Sequence, residues 1–235
     1  MERAIPPEWV RHPFWWRYPF WYRQYYVIFK GVVEADDTSS TITTDAAMYR
    51  ETHVYNYLLS KNRFWVSRLT GSMVTRAYFQ TELNKAGVVY VTGVGHGSPT
   101  RYTGYYGSIL WEVGNYASAE ADGRIVHLLS CKTAQQLGPD LVNNGAKAYF
   151  GYAENFTITW AHPDAFWECD SLIDRLFADG LTADDVYHQA YANYTNAINH
   201  WLSIHSPTAN WLLWDRNALK APAVHPMFGD GNAKF

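Results

Sequence analysis

The strongest constraint on this chain is a set of short apolar runs with no polar alternation. Tyr25–Val33, Val88–Thr92, Arg124–Ser130 and Ala146–Tyr152 are rich in β-branched and aromatic residues, as expected of strands buried on both faces. Stretches with helical spacing lie between and after them. Thr44 stands ahead of a stripe of Ala47, Val54, Tyr55 and Leu58, and Ser72–Lys85 reads as a helix ended by Gly87. Two longer helices are predicted near 164–179, stopped by Gly180, and near 183–203, where Thr182 caps and Asp184 and Asp185 sit at the positive end. Arg63–Leu69 reads as a short strand and Ile109–Tyr116 as a short helix. Pro139 and Gly145 read as a helix's first turn and its stop. Strands alternating with helices predict an α/β fold, a three-layer αβα sandwich with a mostly parallel central sheet. Right-handed crossovers then bring the strand C-terminal ends to one edge.

Composition narrows the function classes. At 235 residues and 48% hydrophobic, the chain has enough apolar surface to bury a core, which excludes a disordered polymer. A net charge of −3 gives no basic field for nucleic acid. No run approaches the roughly 18 apolar residues of a membrane span. Cys131 and Cys169 are too few for a disulfide framework, and the first residues lack a secretory h-region, so a cytoplasmic setting is expected. The sequons at Asn155 and Asn193 carry little weight in that setting.

Residues 1–24 stand apart as an arm before a domain spanning 25–235. Pro13-Phe14-Trp15-Trp16-Arg17-Tyr18 is echoed by Pro19-Phe20-Trp21-Tyr22-Arg23-Gln24. Rings this dense need cover. They either pack on the chain's own body or dock a neighbouring copy, which would make a homo-oligomer joined through the arm.

Two strands deliver reactive side chains to the ligand edge of such a sheet. One ends in Gly95-His96-Gly97 and the other in Ser130-Cys131. If the strands are neighbours, a thiol faces an imidazole, the minimum for nucleophilic acyl transfer. Cys131 would attack a carbonyl and His96 would protonate the leaving amine. A nearby imidazolium or helix N-terminus would lower the thiol pKa, and the amides of Gly97 and Cys131 would hold the oxyanion. Against this stands the plainer reading of a buried structural cysteine and an ordinary loop histidine. Cys169 shares a helical face with Ala165, Leu172, Ile173 and Leu176 and reads as core. His188, His200 and His205 lack metal-ligand spacing, and the Gly93–Ser98 loop lacks a dinucleotide fingerprint, so neither metal nor cofactor is expected.

Val88-Val-Tyr-Val-Thr-Gly-Val-Gly-His-Gly-Ser-Pro99 followed by Ile125-Val-His-Leu-Leu-Ser-Cys131 resembles the caspase–gingipain–legumain clan of cysteine peptidases. Lys132–Gly151, Ala178–Ala190 and Met227-Phe-Gly-Asp-Gly231 are similar to its gingipain-type and CHAT-type branches, although Gly231 stands where those relatives tend to carry proline. The resemblance implies a caspase-like fold, a His96/Cys131 dyad and a peptide or protein substrate. It also implies a first specificity pocket framed by the loops after the first strand and after the strand following the cysteine. Glu34, Asp36, Asp37 and Glu154 fall in those loops, with Trp160 as a groove wall, so cleavage after basic residues is the expectation. Two rivals remain: a catalytically silent binding module on the same fold, and a self-assembling structural protein using the aromatic arm.

Overall fold

A computed structural model describes residues 29–235. The aromatic arm and the first residues of the expected Tyr25–Val33 strand lie outside the described residues. The chain runs β1 (Lys30–Asp36), α1 (Thr41–Arg50), a π-helical turn (Glu51–Tyr55), α2 (Asn56–Ser60), β2 (Phe64–Thr70), α3 (Arg76–Leu83) and β3 (Val88–Val94). A small hairpin sheet follows, β4 (His96–Ser98), β5 (Arg101–Thr103) and β6 (Ile109–Glu112). Then come β7 (Ile125–Leu129), α4 (Leu137–Asn143), β8 (Ala148–Tyr152), α5 (Pro163–Asp179), α6 (Ala183–Ser203), α7 (Thr208–Ala218) and β9 (Leu219–Lys220).

The central sheet has six strands in the order β2-β1-β3-β7-β8-β9. All neighbours pair in parallel except β9, which runs antiparallel to β8. Side chains alternate across it, as the pleat requires. Val32, Tyr90, Ile125 and Ala148 face a core completed by α1, α5, α6 and α7. Val33, Val91, Val126 and Tyr149 face a second core completed by α3, α4 and the hairpin. Three layers result, with helices on both faces of a mostly parallel sheet.

Several local expectations shift. β1 continues through Glu34 to Asp36, because the buried Arg50 guanidinium holds carboxylates that looked like loop residues. Helix α1 starts after Ser40, which shares a capping box with Thr43, rather than at Thr44. Ile109–Tyr116 is not helical. β6 pairs antiparallel with β5, Leu110 and Trp111 are both buried, and Gly114 turns the chain at φ 70°. Helices α5 and α6 end and begin as expected, with Gly180 left-handed and the Thr182 hydroxyl accepting from the Asp185 amide. Helix α7, with Ala209, Leu212 and Ala218 buried, was not foreseen.

Candidate active site

β3 and β7 are neighbours whose last paired rung is Val94 with Leu129. One step further, the Gly95 amide donates to the Leu129 carbonyl at 3.2 Å. His96 and Cys131 therefore leave the sheet side by side at its C-terminal edge. His96 opens β4, held in register against Thr103 of β5. Gly97 presses on the segment after β7. A Cβ there would sit 2.6 Å from the Cys131 carbonyl oxygen and 2.8 Å from Thr133 Cγ2, so only glycine lets the hairpin lie against Cys131.

His96 and Cys131 line one cavity of about 50 Å³, together with Ser130 and Gly95. Its remaining wall is almost wholly apolar: Ile42, Val94, Leu129, Phe156 and Trp167, with Thr43 beside them. Phe156 stacks on Trp167 at 5.9 Å between ring centroids, and the Trp167 indole N–H donates to Asp45 at 2.8 Å.

Cys131 is half-buried, and burial pushes its thiol up. The Phe156 backbone N–H and Lys132 pull it down, while Asp215 raises it further. The lowered thiol expected from the sequence is thus corrected. Helix α4 begins only at Leu137, beyond a turn with Lys132 at φ 61°, so its N-terminus does not abut the sulfur. Burial pushes the Cys169 thiol up more strongly still; it lies within the core, 3.6 Å from Asn193 Nδ2.

The expected specificity carboxylates are arranged otherwise. Glu34 and Asp36 are fully buried. Asp36 pairs with Arg50 at 3.0 Å, and Glu34 lies 3.5 Å from the same guanidinium. Asp37 is also buried, accepting from the Ser39 amide and hydroxyl at 2.9 Å and from the Thr43 hydroxyl at 3.3 Å. It sits behind Thr43 rather than on the cavity wall. Glu154 and Trp160 are exposed and do not line the cavity.

His127 escaped the sequence reading because its strand reads as a continuous apolar run. The ring is fully buried, with Nδ1 3.1 Å from Asp174 and Nε2 3.2 Å from Asp170. Burial opposes its charged form, but the two carboxylates outweigh that and raise its pKa to about 9. Among the described residues this trio is the one group of His, Cys and acidic side chains close enough to gather round an ion. Arg50 Nη1 already stands 2.9 Å from Asp174, and both ring nitrogens are engaged, so cationic side chains fill the place an ion would take.

No family model matches the chain. No curated protein matches it either. Solved structures do. One described as a protease shares 16% identity at a TM-score of 0.55, covering 87% of this chain and 48% of its own. The Arg-specific cysteine proteinase gingipain R (RgpB) shares 11% at a TM-score of 0.54, covering 88% and 48%. The complex of the Porphyromonas gingivalis RgpB pro- and mature domains gives 11% at 0.51. The chain spans about half the length of these structures. At such identities the likeness concerns the fold, which is the caspase-like α/β arrangement of the gingipain structures.

Proposed function

We propose that the protein is a cysteine peptidase in which Cys131 is the nucleophile and His96 the general acid and base. The observation that carries this reading is one cavity at the strand C-terminal edge, walled by both side chains. The thiol transfers its proton to the imidazole and attacks the peptide carbonyl. The imidazolium then protonates the leaving amine, and water hydrolyses the thioester. The amides of Gly97 and Cys131 are the proposed oxyanion donors.

Selection of a basic residue would need a free carboxylate. Glu34 and Asp36 are paired with Arg50, and Asp37 is saturated by Ser39 and Thr43. The apolar wall supports an aliphatic side chain beside the scissile bond. Burying an arginine there would cost an unpaired charge. One observation favours a catalytically silent module instead: burial raises the Cys131 thiol, which disfavours the thiolate.

A single experiment separates the readings. The protein is treated with peptidyl electrophiles carrying leucine or arginine next to the warhead, and Cys131→Ala, His96→Ala and Cys169→Ala are run alongside. The peptidase reading expects labelling that vanishes in Cys131→Ala, falls in His96→Ala and persists in Cys169→Ala, with the leucine probe faster by about tenfold or more. Faster labelling by the arginine probe would overturn the aliphatic preference. No labelling of folded wild type would leave the silent module.

A further inference from the structure

A buried carboxylate behind the site has no part in the chemistry above. Asp215 lies on α7, a helix packed against α6 and far in sequence from either strand end. Its Oδ1 accepts from the Thr157 amide at 2.9 Å and from the Thr157 hydroxyl at 3.0 Å, while Oδ2 is buried without a hydrogen-bond partner. A carboxylate in this position costs free energy unless it does something specific.

Its grip falls on the segment 153–160 between β8 and α5. The neighbouring Trp214 donates its indole N–H to the Asn155 carbonyl at 3.0 Å. The ends of α7 hold the same segment, with Ala218 O accepting from the Ala153 amide at 2.8 Å and the Thr208 and Thr159 hydroxyls 3.2 Å apart. Phe156, between the two central contacts, is the residue of this segment that lines the cavity with Cys131.

We infer that Asp215 is a positioning residue: through Thr157, and with Trp214 through Asn155, it fixes the loop that keeps Phe156 against Cys131. This deepens the peptidase reading, on which its catalytic meaning rests. The Phe156 ring closes the apolar wall beside Cys131, and its backbone N–H favours the thiolate. A loop with only its own backbone would not hold its place beside the sulfur, because ordering each of its residues costs conformational entropy. A buried carboxylate mounted on a helix and accepting two hydrogen bonds from Thr157 supplies the anchor.

The test reads the thiol directly and needs no substrate. The pH profile of iodoacetamide alkylation of Cys131 is measured in the full chain carrying Cys169→Ala, then with Asp215→Ala, Asp215→Asn or Thr157→Val added. A charged hydrogen bond lost from the thiolate should move the midpoint up by about one pH unit in Asp215→Ala. Asparagine keeps an acceptor for Thr157 and removes only the charge that raises the thiol, so its midpoint should lie at or below the parent's. Equal downward shifts in both Asp215 variants would mean that the carboxylate acts on Cys131 by charge, and would overturn the positioning role. A folded Asp215→Ala protein whose midpoint matches that of the equally uncharged Asp215→Asn would overturn it too, as a merely structural role lowers Tm without separating the two profiles. If Asp215→Ala does not fold, Thr157→Val carries the test: an upward shift supports the role and an unchanged midpoint refutes it. An upward shift in a protein that cleaves no peptide would leave the positioning role standing and remove the peptidase reading alone.

Discussion

The two faces of the central sheet are built on different principles. On the face covered by α1 and α5, Glu34, Asp36, Thr92 and His127 follow Val32, Tyr90 and Ile125 along the strands, and all are buried. On the face covered by α3 and α4, Val33, Ala35, Val91, Val126 and Leu128 are apolar throughout. Tyrosine hydroxyls make the polar contacts of its strands, Tyr102 to the Ala35 carbonyl at 2.7 Å and Tyr149 to Thr133 at 2.8 Å, and one buried carboxylate stands beyond them, Glu120, paired with Arg76 of α3 and accepting from the Trp111 indole N–H at 3.2 Å. The strands of the first face are therefore held by charge and those of the second by packing. The charged layer lies one step below the strand ends that carry His96 and Cys131, and it reaches them directly: Asp36 Oδ1 accepts from the Val94 amide at 3.1 Å. Hydrogen-bonded charges fix direction, whereas apolar contacts tolerate sliding. Rigidity is thus concentrated where the site needs registration.

The sharpest way to break this contrast is to remove Arg50. Its guanidinium meets Asp36 at 3.0 Å and Asp174 at 2.9 Å, and donates to the Thr92 hydroxyl at 2.8 Å, all without exposure. Arg50→Met should cost about 5 kcal/mol or more, because it strands several carboxylates in the core. Val126→Ala on the opposite face should cost about 2 kcal/mol, a packing loss alone. Urea unfolding at pH 7 compares them. Mild acid should partly rescue Arg50→Met by protonating the stranded carboxylates, and should do nothing for Val126→Ala. Equal losses, or no acid rescue, would mean that the charges are passengers on a core held by packing.

The next effect is the pH dependence of the charged face. Its folded pKa of about 9 puts His127 above the ordinary value of 6.5. A raised pKa means that the folded state binds the proton more tightly. The contribution is fully present below pH 6.5 and is lost as pH rises through 9, on the order of 3 kcal/mol in all. Asp174 acts in the opposite sense: burial opposes its charge, but Arg50 and His127 hold its carboxyl low, so its contribution disappears only as pH falls into the acid range. Unfolding free energies at pH 6 and pH 9 should therefore differ in wild type, and His127→Gln should flatten that slope. A wild type with no decline to pH 9 would show a neutral His127.

The packed face was legible from the sequence because apolar runs and glycine stops state its logic locally. The expected runs hold the strands Val88–Val94, Ile125–Leu129 and Ala148–Tyr152, and Gly87 and Gly145, both at positive φ, follow α3 and α4. The charged face was not, because its meaning is set by partners far along the chain. Glu34 and Asp36 look like a turn until Arg50 is folded over them, and His127 is lost in an apolar run until Asp170 and Asp174 of α5 arrive. In the site, the motifs put His96 and Cys131 at strand ends, and the pairing of β3 with β7 makes those ends neighbours. The walls from Ile42, Phe156 and Trp167 come from three separate segments, and no spacing rule joins those. Helix α7 was missed although Ala209 and Leu212 are spaced for one face, because Trp211, Leu213 and Trp214 blur the stripe by lying exposed.

The smallest effect sharpens the comparison with a matched deletion on each face. Tyr90→Phe removes a hydroxyl that donates to Asp174 at 2.6 Å, and Tyr149→Phe removes one that donates to the neutral Thr133 hydroxyl at 2.8 Å. Both rings are fully buried, so the packing loss is the same and small. A hydrogen bond to an ionised partner is worth about 1.5–3 kcal/mol and one between neutral groups about 0.5–1.5 kcal/mol. Tyr90→Phe should therefore cost about 1 kcal/mol more than Tyr149→Phe, read as a shift in urea midpoint at unchanged slope. Asp174 Oδ1 also accepts from the Thr92 hydroxyl at 2.6 Å and lies 3.1 Å from His127 Nδ1. If those two donors suffice, the variants will cost the same. The charged face would then be a network with donors to spare, and its rigidity would rest on Arg50 and His127 alone.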